Sequence, residues 1–130
     1  MKTLETRIIK FQEEEREYDV VDRNIDQPAP RYFISYRQGI PFISDEVPRD
    51  YMHPMILHKL TEFELLQEEN DKCLKALKVE LKSLNEEQLK EYIPFRTEVF
   101  QCLISYLEKH LPNSPHLPEM KKSLSYLETL

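Results

Sequence analysis

The sequence predicts a mixed α+β fold in a single domain, with a small N-terminal antiparallel β-hairpin or sheet followed by three or four helices. Alternating apolar and polar residues, the periodicity of strands, occur only before about residue 48. Apolar residues at three- and four-residue spacing, the periodicity of helices, occupy the rest. We therefore expect a β-rich part over about 6–48 and a helical part over about 52–130 of the single domain 1–130.

The length and composition are those of one folded domain. The chain has 130 residues, of which 40% are hydrophobic, and this is enough to build a core. The net charge is −6, and no block of lysine and arginine occurs. We therefore do not expect nucleic-acid binding, which depends on cationic side chains that neutralise phosphates.

Nothing in the sequence predicts export or membrane insertion. No apolar run has the character of a signal peptide, and none is long enough to span a bilayer. Cys73 and Cys102 both lie in apolar helical sequence and are expected to be free thiols. We therefore expect a cytoplasmic protein that does not contact membranes.

The sequence lacks the loops and nucleophile motifs of common enzymes. Gly39 is the only glycine, whereas phosphate-binding loops need several. The serines lack the flanking glycines of a nucleophile elbow, and Cys102 lies within an apolar stripe, where thiols are usually inert. We therefore predict no catalytic residue and favour a non-enzymatic role.

Residues 6–22 allow two interpretations. Apolar residues alternate with polar ones before and after the run 13–15, which favours two short strands. The same residues suit a single helix, because glutamate and arginine are good helix formers. We prefer the two strands. A loop should follow over 22–30, since Pro28 and Pro30 are incompatible with a helix.

A β-hairpin is predicted next in the chain. Side chains alternate over 31–37, and Gln38 with Gly39 would form the turn, because glycine readily takes a positive φ. Residues 40–43 would form the return strand. Pro41 has no N–H to donate to a neighbour, so this strand is expected at the edge of the sheet.

Two helices are predicted over about 53–69 and 71–83. Apolar residues at helical spacing define both. Pro54 would lie in the first turn of the first helix, where a missing N–H costs least. Asn70 and Asp71 would end that helix and cap the second.

A third helix should begin after Asn85, because Asn85 and Gln88 have the spacing of a capping box. It should kink or restart at Pro94 and end near His110. A proline-rich connector then precedes a last helix over about 118–130. The helical part would thus contain three or four helices.

Polar side chains within the first two predicted helices mark a candidate metal site. His58 and Glu62 are one helical turn apart, and Cys73 and Glu80 share one face of the next helix. If the two helices form an antiparallel hairpin, the four side chains meet, and their donor atoms suit zinc. Buried carboxylates and imidazoles are costly unless they are paired or bound to a metal.

Two alternatives to a zinc site are open. His58 and Glu62 suit a hydrogen-bonded pair without metal, which is the commoner role of this spacing. The helix also departs from the zinc-protease pattern His-Glu-x-x-His, because Lys59 follows His58 and Glu62 replaces the second histidine. A lysine there is a poor general base, so we expect at most a degenerate metal-dependent hydrolase.

Arg96 falls within the apolar stripe of the third predicted helix. A buried arginine usually meets a carboxylate in a bidentate pair. Glu64, on the apolar face of the first helix, and Glu80 are both candidates for that carboxylate. Such a pair would specify core packing, whereas an unpaired Arg96 would anchor an anion.

The favoured function is a small cytosolic, non-enzymatic module that binds or regulates another protein. Tyr32, Tyr36 and Arg37 would form the interaction surface, because tyrosine and arginine are enriched at interface hot spots. An edge strand there could also accept a strand from the partner. The alternative is a small zinc-like metal-binding protein. A third hypothesis is a homo-oligomer formed through the apolar C-terminal helix.

Overall fold

The computed structural model describes residues 2–23 and 29–130. Within these ranges a four-stranded sheet precedes four helices, which confirms the predicted α+β class. The strands are β1 (Thr3–Phe11), β2 (Glu14–Val21), β3 (Ile34–Arg37) and β4 (Ile40–Ser44). The helices are α1 (Arg49–Leu60), α2 (Lys72–Lys82), α3 (Glu86–His110) and α4 (His116–Glu128), and a π-helical segment, here called the π turn (Thr61–Leu65), continues α1.

The sheet is mixed, although an antiparallel sheet was expected. Its strand order is β1-β2-β4-β3. β1 pairs with β2 and β3 pairs with β4 as antiparallel hairpins, but β2 and β4 are parallel. Val20 and Ile43 face each other in the parallel ladder, and both are buried. The two hairpins are therefore joined where each of them is most apolar.

β4 lies inside the sheet, so the prediction that Pro41 marks an edge strand is wrong. The edge is β3, in which none of the four residues is buried, whereas three of the five residues of β4 are buried. Pro41 is tolerated because the ladder between β2 and β4 begins only at Phe42. Burial of most of the strand outweighs the local preference of one proline.

The two-strand interpretation of residues 6–22 is confirmed. Gln12 and Glu13 both have positive φ, 51° and 65°, and form the tight turn between β1 and β2. Gln38 and Gly39 form the second hairpin turn in the same way, as predicted. The loop predicted over 22–30 falls mostly on residues 24–28, Pro28 among them, which lie outside the described residues.

α1 begins four residues earlier than predicted, so Pro54 lies in its second turn and not in its first. Pro48, with φ −55° and ψ 140°, occupies the N-cap position and defines the start of the helix. α2 matches its predicted range to within one residue. Asp71 stands at its N-cap, but the carboxylate binds Lys122 Nζ at 2.7 Å and does not cap the helix.

α3 begins with the predicted capping box. Gln88 N–H donates to Asn85 Oδ1, and Asn85 N–H donates to Gln88 Oε1. The helix continues through Pro94, so of the predicted kink or restart the restart does not occur. Both Pro94 and Lys90, whose carbonyl loses its helical partner there, face solvent, where water replaces the missing bond.

One core connects the sheet to the helices. α1 lies against β4, β1 and β3, while α2 packs between α1 and α4, and α4 packs on α3. The largest fully buried core side chains come from both parts of the chain: Tyr18, Ile43, Met52, Met55, Ile56, Leu60, Leu77, Tyr92, Phe100 and Leu127. The hairpin of α1 and α2 is thus held from both sides, and its inner face carries the polar cluster described next.

Candidate metal centre

Three potential metal ligands meet where α1 passes into α2. His58 lies in the last turn of α1, Glu62 in the π turn, and Cys73 in the first turn of α2. All three residues are buried. One nitrogen, one carboxylate oxygen and one sulfur from these side chains lie within 4.8 Å of one another.

The π turn explains which way each side chain of this segment faces. Leu66 N–H donates to Thr61 O at 3.1 Å, a bond that spans five residues and widens the helix locally. A helical-wheel projection of the predicted first helix, at 100° per residue, places Phe63 on the main apolar face. In the structure, Phe63 is 38% exposed. Glu62 instead points inward toward α2. The wheel fails here because its angle assumes regular α-helical turns.

Two of the three donor separations can be compared with those around a tetrahedral ion. Glu62 Oε2 lies 3.4 Å from His58 Nε2, and Cys73 Sγ lies 3.8 Å from the same nitrogen. Zinc holds nitrogen and oxygen at 2.0–2.2 Å and sulfur at about 2.3 Å, so a tetrahedral angle separates N from O by roughly 3.3 Å and N from S by roughly 3.6 Å. The two observed separations are therefore close to those that an ion between the donors requires.

Each of the three candidate ligands also contacts another polar side chain. His58 Nδ1 hydrogen-bonds to Glu80 Oε1 at 2.8 Å, and Ser123 Oγ donates to Cys73 Sγ at 3.2 Å. The second oxygen of Glu62 lies 3.8 Å from Lys59 Nζ. A carboxylate behind a ligating imidazole fixes the ring and leaves its other nitrogen free to bind metal.

Glu80 hydrogen-bonds to His58 and is not one of the three clustered donors. Arg96 donates from Nε to Oε2 at 2.7 Å and from Nη2 to Oε1 at 3.1 Å, and the Tyr92 hydroxyl also donates to Oε2. With His58 these groups occupy both carboxylate oxygens of Glu80. Of the four ligands predicted from the sequence, Glu80 therefore acts as the residue that orients His58.

The carboxylate partner of Arg96, left open between Glu64 and Glu80, is Glu80. Glu64 lies on the outside of the π turn, where it forms a bidentate pair with Arg16 at 2.7 and 2.6 Å. Both arginines thus have a carboxylate, one pair in the core and one pair near the surface. The two carboxylates of this segment face opposite sides, because Glu62 and Glu64 are two residues apart, which is roughly 200° on a helix.

The charges of the cluster are coupled. Burial lowers the pKa of His58, but its hydrogen bonds with Cys73, Glu62 and Glu80 outweigh burial and raise the pKa to about 10. Burial raises the pKa of Glu62, but the hydrogen bond and the charge of His58 lower it to about 2. These opposite shifts favour a protonated His58 beside an ionised Glu62, so a metal ion would have to displace the imidazole proton.

The same side chains are also arranged in space like the thiol, imidazole and carboxylate of a cysteine nucleophile site. This arrangement was not predicted from the sequence. Cys73 Sγ faces His58 Nε2, and Glu80 orients the imidazole from its other nitrogen, as in nucleophile–base–acid arrangements. However, Cys73 is buried, Ser123 Oγ lies 3.2 Å from its sulfur, and Glu62 shares the same imidazole nitrogen. A metal ion would bind Cys73, His58 and Glu62 together, whereas in a nucleophile site Glu62 would compete with the sulfur for the same imidazole nitrogen.

Two supporting residues of the cluster were not predicted. Tyr92 lies four residues before Arg96 on α3, so the shared helical face was a usable signal. Ser123 lies fifty residues from Cys73, on α4, and no local pattern indicates it. It reaches the sulfur only because α4 packs against α2.

The residues predicted for protein interaction differ in exposure. Tyr32 is buried, with its ring edge-on to Phe95 at 5.3 Å between centroids. Tyr36 is half-buried and packs on Phe63 at 5.0 Å, and Arg37 is exposed. Only the last two offer surface to a partner.

No family model matches this chain, and neither a curated protein nor a solved structure matches it. Among residues 2–23 and 29–130, no helix has the length and apolarity to cross a membrane. The function of the cluster therefore has to be inferred from its own chemistry.

Proposed function

We propose that this protein binds one transition-metal ion of the zinc class between α1 and α2, through His58 Nε2, Glu62 and Cys73 Sγ. The observation that carries the proposal is the meeting of three buried donor atoms within 4.8 Å, with the far nitrogen of the imidazole bonded to Glu80. Ligating histidines in metalloproteins have just this second contact.

The donor set selects the kind of metal. A thiolate and an imidazole favour zinc, cobalt or copper over magnesium and calcium, which prefer oxygen ligands. A divalent ion would also be neutralised by the two anionic ligands, the Cys73 thiolate and the Glu62 carboxylate. A buried centre without net charge avoids much of the desolvation penalty that an isolated ion would incur.

The direct test is the metal content of untagged protein purified without chelators and then dialysed against zinc. We expect about one zinc per chain in the wild type and background content in Cys73→Ala and His58→Ala. Cys102→Ala is the matched control, because Cys102 is the other free cysteine and lies on α3 outside the cluster. Zinc content far below one per chain in the wild type would contradict the proposal.

Cobalt supplies a second readout that reports the ligands themselves. Co²⁺-loaded protein should absorb in the near ultraviolet through a sulfur-to-cobalt transition and in the visible range as a tetrahedral ion does. Cys73→Ala should lose the first band, and Cys102→Ala should keep it. Loss of the band in Cys102→Ala alone would show that the wrong cysteine had been assigned.

A second candidate function, protein binding at β3, is favoured by the strand order. β3 is an edge of the sheet and pairs with β4 on one side, so its other side can accept an extended peptide. Tyr36 and Arg37, near the end of this strand, are then the side chains that contact the partner.

The test uses a partner protein captured by the wild type in a pull-down. It measures how much of that partner Tyr36→Ala and Arg37→Ala retain. Both should retain less partner than the wild type, while Lys90→Ala, an exposed change on α3, should retain as much. Equal retention by all four proteins would rule out this surface.

A further inference from the structure

We infer that the metal centre proposed above, on which this inference rests, takes a small anion as its fourth ligand, and that Lys59 and Lys72 hold the anion there. Three protein donors leave one position of a tetrahedral ion open. The chemical class is a monovalent anion with an oxygen or nitrogen donor atom, such as a carboxylate or azide. The charge and exposure of the surrounding residues lead to this assignment.

Two sides of the site are closed by the protein. Glu80 lies behind His58, and Ser123 lies behind Cys73, and neither of these two supporting residues is exposed to solvent. The remaining side carries Glu62 and Lys59, whose side chains are 10% and 18% exposed. A ligand from solvent would therefore enter past Lys59.

Among residues 2–23 and 29–130, the ion pair of Lys59 is the one with Glu62, and Lys72 forms none, so a metal ion that binds Glu62 competes for the carboxylate nearest to these lysines. Zinc with the Glu62 carboxylate and the Cys73 thiolate is neutral, and Glu80 with Arg96 forms a second neutral pair. Lys59 Nζ lies 3.8 Å from Glu62 Oε1, and Lys72 is the first residue of α2, directly before Cys73. They add two positive charges, which a neutral water at the fourth position would leave uncompensated.

The contacts of Lys59 leave part of its ammonium available. The nitrogen lies 3.8 Å from Glu62 Oε1 and 4.8 Å from the centre of the Phe63 ring. Neither contact is a hydrogen bond, so the N–H donors of the ammonium are open to an anion bound to the metal. α2 begins at Lys72 without a side-chain cap, and its N-terminus adds positive potential next to Cys73.

The experiment is a titration of Co²⁺-loaded full-length protein with sodium azide, followed by visible absorption. We expect a saturable change of the cobalt bands with one azide per cobalt, while the sulfur-to-cobalt band persists. In Lys59→Gln/Lys72→Gln the azide affinity should fall by about tenfold or more, because the charges that hold the anion are removed. The cobalt content should stay at one per chain.

Two controls identify the cause of any loss of azide affinity. Lys82→Gln removes an exposed lysine from the other end of α2 and should leave the azide affinity unchanged. Imidazole, a neutral nitrogen donor, should bind wild type and Lys59→Gln/Lys72→Gln with similar affinity. An equal loss for imidazole would show that the lysines shape the site without recognising charge, and this would overturn the inference.

The failures of the two proposals are distinguishable. Absence of cobalt uptake overturns the metal centre itself. Uptake of cobalt with bands that do not respond to azide overturns only the anion site, as does an unchanged azide affinity in Lys59→Gln/Lys72→Gln. Loss of the sulfur-to-cobalt band during the titration would mean that azide replaces Cys73, which also contradicts an open fourth position.

Discussion

Arg96 carries a charge that is almost entirely removed from water. Its side chain is 4% exposed, and its partner Glu80 is not exposed. Two hydrogen bonds join them, and the guanidinium also lies over the Phe100 ring at 4.5 Å. Such a pair adds little net stability compared with apolar residues of the same shape, but the loss of one partner leaves the other charge buried alone.

Arg96→Met should therefore destabilise the protein strongly. We expect a free energy of unfolding lower by about 3–5 kcal/mol, because Glu80 would keep its charge in the core without its strongest partner. Urea unfolding followed by circular dichroism measures the change. Lys75→Ala, which breaks an exposed pair with Glu69, should change it by less than about 1 kcal/mol. Similar losses in the two variants would contradict the assignment.

Tyr18 predicts a loss of stability at alkaline pH. Burial raises the pKa of its hydroxyl from 10.0 to about 12. Between these values the folded protein keeps a proton that the unfolded chain releases, so stability falls as the pH rises from about 10 to about 12. Urea midpoints at pH 9 and 11 should differ less in Tyr18→Phe than in wild type. An identical pH dependence in the two proteins would exclude this cause.

The α1–π turn–α2 hairpin shows how a local irregularity serves a site. A helical wheel with regular turns places Phe63 on the apolar face, whereas Phe63 is 38% exposed. In the same segment the Glu62 carboxylate lies beside His58, and Glu64 pairs with Arg16 on β2. π turns often occur at functional sites.

The capping box of α3 gives an element-level prediction. Asn85→Ala removes the acceptor for Gln88 N–H and should lower the free energy of unfolding by about 1 kcal/mol. Asn113→Ala, in the exposed connector between α3 and α4, is the matched control and should have almost no effect. Thermal unfolding of both variants compares them, and a larger loss in Asn113→Ala would contradict the role of the cap.

The proposed metal centre would join elements that are distant in the chain, so its occupancy should affect the stability of the complete protein. His58 and Glu62 come from the α1 side, Cys73 begins α2, and the supporting groups come from α3 and α4. A ligand that binds the folded state alone stabilises it in proportion to the logarithm of its concentration.

Zinc should raise the unfolding midpoint of the wild type. At a free concentration 100-fold above the dissociation constant, the gain should be about 2.7 kcal/mol. Cys73→Ala should show little of this gain, and magnesium should have no effect on either protein, because the donor set is wrong for it. A zinc-dependent shift of equal size in Cys73→Ala would place the bound zinc elsewhere.

Local sequence patterns were sufficient to predict the kinds of element and their order. The alternation before residue 22, the turn at Gly39 and the cap at Asn85 each depend on neighbours a few residues away. The same holds for His58 and Glu62, whose spacing puts them side by side on one helical segment. Such features follow from backbone geometry, which a short stretch of sequence already specifies.

Long-range packing decided the rest. β4 lies inside the sheet although it contains Pro41, Glu80 orients His58 because Arg96 and Tyr92 hold it, and Ser123 meets Cys73 across fifty residues. Each arrangement reflects competition among distant groups for buried space and hydrogen bonds, and a periodic pattern contains no information about that competition.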